Sequence, residues 1–396
     1  MTQVEAPPVR TAVDPSGAPG RPVPAPDQRR RGRVGPLVVG QLVVLELCAV
    51  AVWAALGGPG WLVGVVGGVA LLVLLAVFAR RGGRWWYEDV LLRRRLRERR
   101  DRARAALAEG GGSDPRLVSL APELSFIELT DRGTRLGIGQ DDEGWFAAVA
   151  LFGRSGAPAG SVEAAVVDRA LRVLAEFSGP VTCAQMVSHT LVWYPAPGAP
   201  PAAHRTVWVA LRLSVRDART ETVARGGGMA GVHRTLAAGM GRLGKALNAA
   251  GLAHRALGRD ELRAAVVSAA GLDLTPDPPA EIWTGLRGGG WTHRCLALRA
   301  RPEAPLGALV DALTATSAPS HTVAVTVLPG GRAVAPLLRV AAMDNHVEAL
   351  VKVIRDVARR CGTPARPVDG QHGPGVWAAT PAGALLAGGG SVRAAG

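Results

Sequence analysis

The chain has 396 residues, a net charge of +14 and 48% hydrophobic content. Its four cysteines, Cys48, Cys183, Cys295 and Cys361, lie far apart and form no CxxC pair, which excludes a disulfide framework and a zinc ribbon. Residues 1–35 hold six Arg against three acids and residues 80–104 eleven against four, so ten of the fourteen excess charges flank one short segment, the pattern of a patch against anionic lipid, with a membrane-tethered nucleic-acid binder as the rival reading of the charge.

In chain order, residues 1–35 are rich in Pro, Gly and Arg without apolar periodicity and read as a disordered basic segment. Two apolar runs follow, Pro36–Leu56 and Trp61–Ala79, of 21 and 19 residues, separated by Gly57-Gly58-Pro59-Gly60. Each would reach about 28–31 Å as a helix, the thickness of a bilayer's hydrocarbon core, which predicts a transmembrane helical hairpin over residues 36–79. Arginines 29, 30, 31 and 33 precede the first run, while Arg80, Arg81 and Arg84 follow the second. That bias places both termini in the cytoplasm at the cell (inner) membrane. Within the first run Glu46 is the one charge, costing roughly 2.5–3.5 kcal/mol if ionised there. It must be protonated, hydrogen-bonded to a neighbour such as Gln41, or paired with another subunit. Gly60, Gly64 and Gly68 recur every four residues, a ridge that allows close helix approach and is expected to seat the first span. Arg80, Arg81, Arg84, Arg93, Arg94 and Arg95 are placed to contact anionic lipid at about 1 kcal/mol each.

Residues 80–112 form an Arg-rich juxtamembrane segment, with a helix expected over Trp85–Glu109 and stopped by Gly110-Gly111-Gly112. Trp85, Leu92, Leu96, Ala103 and Leu107 mark a narrow apolar stripe on it. Residues 113–362 then read as an α+β domain. Strands are expected at 124–130, 134–140 and 145–151, forming an antiparallel meander. A helix over 161–177, with Ser161 as its N-cap, precedes strands at 181–194 and 205–215 and helices at 231–250 and 259–270. The remainder reads as strand 291–300, helix 306–316, strands 322–328 and 337–342, and helix 345–360. The fold class is thus an α+β cytoplasmic domain anchored by an N-terminal two-helix transmembrane hairpin. Residues 363–396, rich in Gly and Ala, read as a loose tail, and no internal repeat is visible.

Tests for chemistry fail one after another. Gly239-Met240-Gly241-Arg242-Leu243-Gly244-Lys245-Ala246 spells both a phosphate loop and GxGxxG. However, Ala246 stands where a magnesium-binding Ser or Thr is needed, and no strand precedes the glycines. Small residues on a helix packing face explain it better. Asp141-Asp142-Glu143 reads as a solvated hairpin turn, with a divalent metal as the sharper alternative, and the eight histidines show no ligand spacing. No catalytic residue, cofactor or metal is predicted.

One string carries a resemblance. Residues Gly35-Pro36-Leu37-Val38-Val39-Gly40-Gln41-Leu42-Val43-Val44-Leu45-Glu46-Leu47 are similar to the opening span of EccE, a membrane component of the type VII (ESX) secretion system of actinobacteria. Trp85-Trp86 in the Arg-rich segment is similar too, as are Asp131-Arg132-Gly133-Thr134-Arg135-Leu136-Gly137-Ile138-Gly139 and Trp145-Phe146-Ala147. The resemblance spans residues 33–360 and is strongest up to about 215. It implies a non-catalytic, two-span structural subunit assembling with EccB-, EccC- and EccD-like proteins, EccC being the motor ATPase. It assigns no catalytic residue. The rival reading is a membrane-anchored transferase acting on lipid-linked sugar at the cytoplasmic face through Asp141 and Asp142.

Overall fold

The computed structural model describes residues 33–34, 37–81, 84–110, 114–131, 133–153, 161–195, 202–214, 217, 221–273, 275–299 and 305–386. They divide into two units, residues 1–88 and 89–396. In the first, α1 (Val39–Ala55) and α2 (Gly60–Phe78) run antiparallel. Gln41 Nε2 donates to the Val77 carbonyl at 3.2 Å, and the Cys48 thiol lies 4.0 Å from the Ala70 carbonyl. Among the described residues α2 alone, 19 residues and apolar throughout, is long and apolar enough to cross a membrane. The first run yields a 17-residue helix rather than the expected 21, about 26 Å long, because Leu37 and Val38 are extended and pair with Arg33 and Val34.

The second unit is organised by a thirteen-stranded, wholly antiparallel sheet. Its first half holds β1 (Ser125–Asp131), β2 (Thr134–Asp141), β3 (Gly144–Leu151), β4 (Cys183–Trp193), β5 (Ala202–Ser214) and β6 (His254–Ala256). Its second half holds β7 (Ala280–Ile282), β8 (Gly285–Gly288), β9 (Trp291–Leu298), β10 (Ser320–Leu328), β11 (Arg332–Ala333), β12 (Leu337–Met343) and β13 (Ala365–Pro367). The spatial order is β7-β8-β9-β12-β10-β4-β5-β3-β2-β1, with β6 beside β3, β11 beside β10 and β13 beside β9. Ahead of the sheet come α3 (Trp86–Ala108) and α4 (Pro115–Val118). Between and after its strands lie α5 (Ala164–Glu176), α6 (Gly228–Ala249), α7 (Arg259–Ala270), α8 (Leu306–Thr314), α9 (Val347–Arg360) and α10 (His372–Ala378).

Alternation along the strands fixes the layers. On β3, Trp145, Ala147, Val149 and Leu151 pack under α5, α6, α8 and α9, while Phe146, Ala148 and Ala150 pack against α4, α7 and α10. The second face is floored largely by alanine (Ala148, Ala150, Ala210, Ala324), so the small-residue helices α7 and α10 can lie close upon it. The same packing corrects the expectation of a loose tail. Residues 363–386 are ordered and mostly buried, and Trp377 sits edge-on to Phe146 with ring centroids 6.1 Å apart. The Ala/Gly composition that suggested looseness is what lets this segment seat.

A repeat absent from the amino-acid pattern is present in the backbone. Three strands, a helix, a hairpin, a helix, a short returning strand and a closing helix occur twice: β1-β2-β3-α5-β4-β5-α6-β6-α7, then β7-β8-β9-α8-β10-β12-α9-β13-α10. The registers agree: His254 faces Leu151 as Ala365 faces Leu298, and Gly144 faces Ser214 as Trp291 faces Met343. Phe152 N donates to Ala253 O, and Arg299 N to Pro364 O, both at 2.9 Å. The equivalent strands β4 and β10 pair antiparallel from Ser320–Leu191 to Val327–Ala184, which makes their junction a pseudo-twofold axis. The three-residue strands β6 and β7 and the four-residue β8 were too short to register as alternation. Ser161 is not an N-cap: Glu163 precedes the helix, and Ser161 Oγ instead accepts from Arg205 N at 3.0 Å.

Candidate functional site

The Arg-clad helix docks on its own domain at the sheet edge formed by β7. Arg99 grips Glu281 in a bidentate pair, Nε to Oε2 and Nη2 to Oε1, both at 2.9 Å, and Nη2 also donates to Gly370 O at 2.8 Å. Arg100 Nε donates to the Glu281 backbone carbonyl at 2.5 Å, and the Arg93 guanidinium stacks 4.8 Å from the Trp283 ring centroid. Leu96 is buried, whereas Leu107 of the expected stripe is exposed. The Arg99–Glu281 side chains are 22% and 7% exposed, so this pair is shielded from the screening that weakens surface ion pairs.

Of the arginines expected to meet lipid, Arg93 is therefore engaged by the domain. Arg94 is exposed and bonded to Glu98 at 3.0 Å, Arg95 is exposed, and the side chains of Arg80, Arg81 and Arg84 lie outside the described residues. In the hairpin Gln41 is buried and Glu46 exposed. The glycine ridge does not seat α1: Gly60, Gly64 and Gly68 are exposed, a Cβ on any of them would meet nothing within 4 Å, and α2 turns Ala70 to its partner instead.

A second centre lies inside the sheet, near the pseudo-twofold axis. Arg339 on β12 is wholly buried, and among the described residues no carboxylate contacts it. Its guanidinium donates to Thr322 Oγ1 at 2.7 Å, Ser320 Oγ at 2.9 Å and His189 Nδ1 at 3.3 Å, with His293 Nδ1 at 3.5 Å. Thr322 in turn donates to the Ala269 carbonyl at 2.9 Å, latching α7 to the sheet. Burial draws the Arg339 pKa down to about 10, which leaves it cationic at neutral pH. Burial, then the nearby Arg339 charge, lowers His293 and His321 to about 3 and His189 well below its ordinary value, so all three are neutral. Burial also pushes the Cys183 and Cys295 thiols up to about 12, which makes them inert. Sequence reasoning missed this centre. Its signal was polar residues at alternate positions in otherwise apolar strands, Ser320 and Thr322 above all.

The candidate metal turn is occupied by a cation of the protein itself. Asp141 is buried and pairs with buried Arg212 at 2.5 Å, while accepting from Glu143 N at 3.1 Å and Gly144 N at 3.0 Å. Its role is to close the β2–β3 turn, so the solvated-turn reading is corrected at this residue. The Gly239–Lys245 string lies in mid-α6, where the N–H groups serve the helix and none can cradle a phosphate.

These features define a mixed α/β protein with a large antiparallel sheet, preceded by a helix of membrane-crossing length and composition. Residues 201–298, about a quarter of the chain, match the family model described as a type VII ESX secretion system translocon, EccE. Over that stretch, from β5 to β9, the chain is similar to the EccE family. The match falls mainly beyond residue 215, downstream of the strings on which the resemblance rested. No curated protein matches the chain in sequence.

Proposed function

We propose that the chain is a structural, non-catalytic membrane subunit of a type VII secretion complex. The EccE-family match carries this reading. It is supported by α2 and by the outward glycine ridge, which leaves a close-packing face for a helix of another subunit. Both apolar helices span the membrane with the termini in the cytoplasm, α1 reaching across with help from the flanking arginines. Glu46, exposed on α1, pairs with a group on another subunit or stays protonated. Arg80, Arg81, Arg84, Arg94 and Arg95 hold anionic headgroups, and the sheet domain docks on EccB-, EccC- or EccD-like neighbours. Energy comes from the motor subunit. The test is recovery of the tagged full-length chain from its native membrane in mild detergent, followed by native electrophoresis and mass spectrometry. Co-migration with an EccC-like ATPase, lost when residues 36–79 are replaced by an unrelated hairpin, is expected. A chain that extracts without detergent, or migrates alone, refutes the proposal.

A further inference from the structure

The internal duplication leaves two comparable sheet edges, β7 and β1, but α3 covers one of them. On each edge strand a glutamate reaches the N-terminal turn of the closing helix of its own half. Glu281 Oε1 accepts from Gly373 N at 2.9 Å, and Glu128 Oε2 from Arg259 N at 3.3 Å. In register Phe126 corresponds to Glu281, since it faces Gly139 on β2 as Glu281 faces Leu286 on β8; Glu128 lies two residues further along the same face. At β7 the remaining carboxylate oxygen and the edge carbonyl are taken by Arg99 and Arg100. At β1, among the described residues, the other Glu128 oxygen has only Arg135 at 3.9 Å, and that side chain is 76% exposed. Among the described residues no strand pairs with the outer side of β1, which at seven residues is longer than β7 and exposes Ile127.

We infer that the β1 edge is a docking site for an arginine-bearing helix of another polypeptide, seated on β1 as α3 is seated on β7. The β7 edge shows the chemistry of the occupant. Arginines about two helical turns apart, as Arg93 is from Arg99 and Arg100, bring a bidentate donor to the carboxylate, a second donor to the edge carbonyl and a guanidinium to the neighbouring aromatic ring. Pairing of β1 with β1 of a second copy would set Glu128 near its own counterpart, like charge against like. The inference stands whether or not the secretion reading holds, because it concerns this edge alone.

The probe is a fluorescently labelled synthetic peptide of residues 86–108, titrated into the full-length chain in detergent and followed by anisotropy. Saturable binding is expected, weakened about tenfold or more by Glu128→Gln and unchanged by Glu123→Gln. The amide in Glu128→Gln can still accept from Arg259 N, so unchanged thermal melting certifies its fold. Binding insensitive to Glu128→Gln overturns the inference. So does loss in Glu281→Gln instead, which would mean that the peptide exchanges with α3 at β7. A dimer of the chain alone that Glu128→Gln dissolves also overturns it, since the occupant would then be a second copy.

Discussion

Acid should unfold the sheet domain well above the pH at which its carboxylates titrate. His293 and His321 are wholly buried with folded pKa values of about 3, against about 6.5 when exposed. Between those values the unfolded chain binds protons that the folded chain refuses, so stability is full above about pH 6.5 and falls as pH drops through the window. At pH 5 each imidazole forfeits about 2 kcal/mol and the pair about 4, a large share of a typical 5–15 kcal/mol. His189 and His372, also lowered by burial, act with the same sign. Glu143, raised by burial, opposes with one group, while Asp114 and Glu261, lowered by their arginine and backbone hydrogen bonds, act only near and below pH 4. The melting midpoint of the full-length chain in detergent, followed by near-ultraviolet circular dichroism, is expected to drop by about 8–16 °C between pH 7.5 and pH 5. The double variant His293→Gln, His321→Gln should flatten most of that slope. A wild-type midpoint moving by less than about 2 °C would refute the placement of neutral histidines around Arg339.

Three further outcomes follow from the geometry. Asp141→Asn leaves the Arg212 charge buried without its close partner and is expected to cost about 3 kcal/mol in denaturant unfolding; a loss under about 1 kcal/mol contradicts the buried pair. Glu281→Gln removes the carboxylate that Arg99 grips while keeping an acceptor for Gly373 N. Amides of residues 93–100 should then exchange about tenfold faster, and an unchanged exchange rate would show that α3 is held by other means. Gly64→Leu with Gly68→Leu is expected to leave the α1–α2 hairpin intact by circular dichroism, since both positions face open space. Assembly should nevertheless be lost on native gels, and full assembly of this variant would remove the ridge from the proposed interface.

By itself the sequence determined the local elements and the character of the segments. The meander, the long strands β4 and β5, the helices α6 and α7 and the apolar α2 all follow from hydrophobic period, and Gly110 ends α3 because its φ of +65° suits glycine. A resemblance to EccE was legible too, through short strings rather than through any site, while the stretch that matches that family, residues 201–298, lies downstream of them. Tertiary structure decided everything that depends on which residues meet. Residues 363–386 look featureless until the alanine floor of the sheet gives their small side chains a surface to fit. Arg339 resembles any strand arginine until β4, β9 and β10 deliver His189, His293, Ser320 and Thr322 around it. The duplication is invisible because register is set by backbone pairing and burial parity, which many different residues satisfy equally well. The direction of the Gly60–Gly64–Gly68 ridge depends on how α2 rotates against α1. Periodicity marks a face, and only packing says what that face touches.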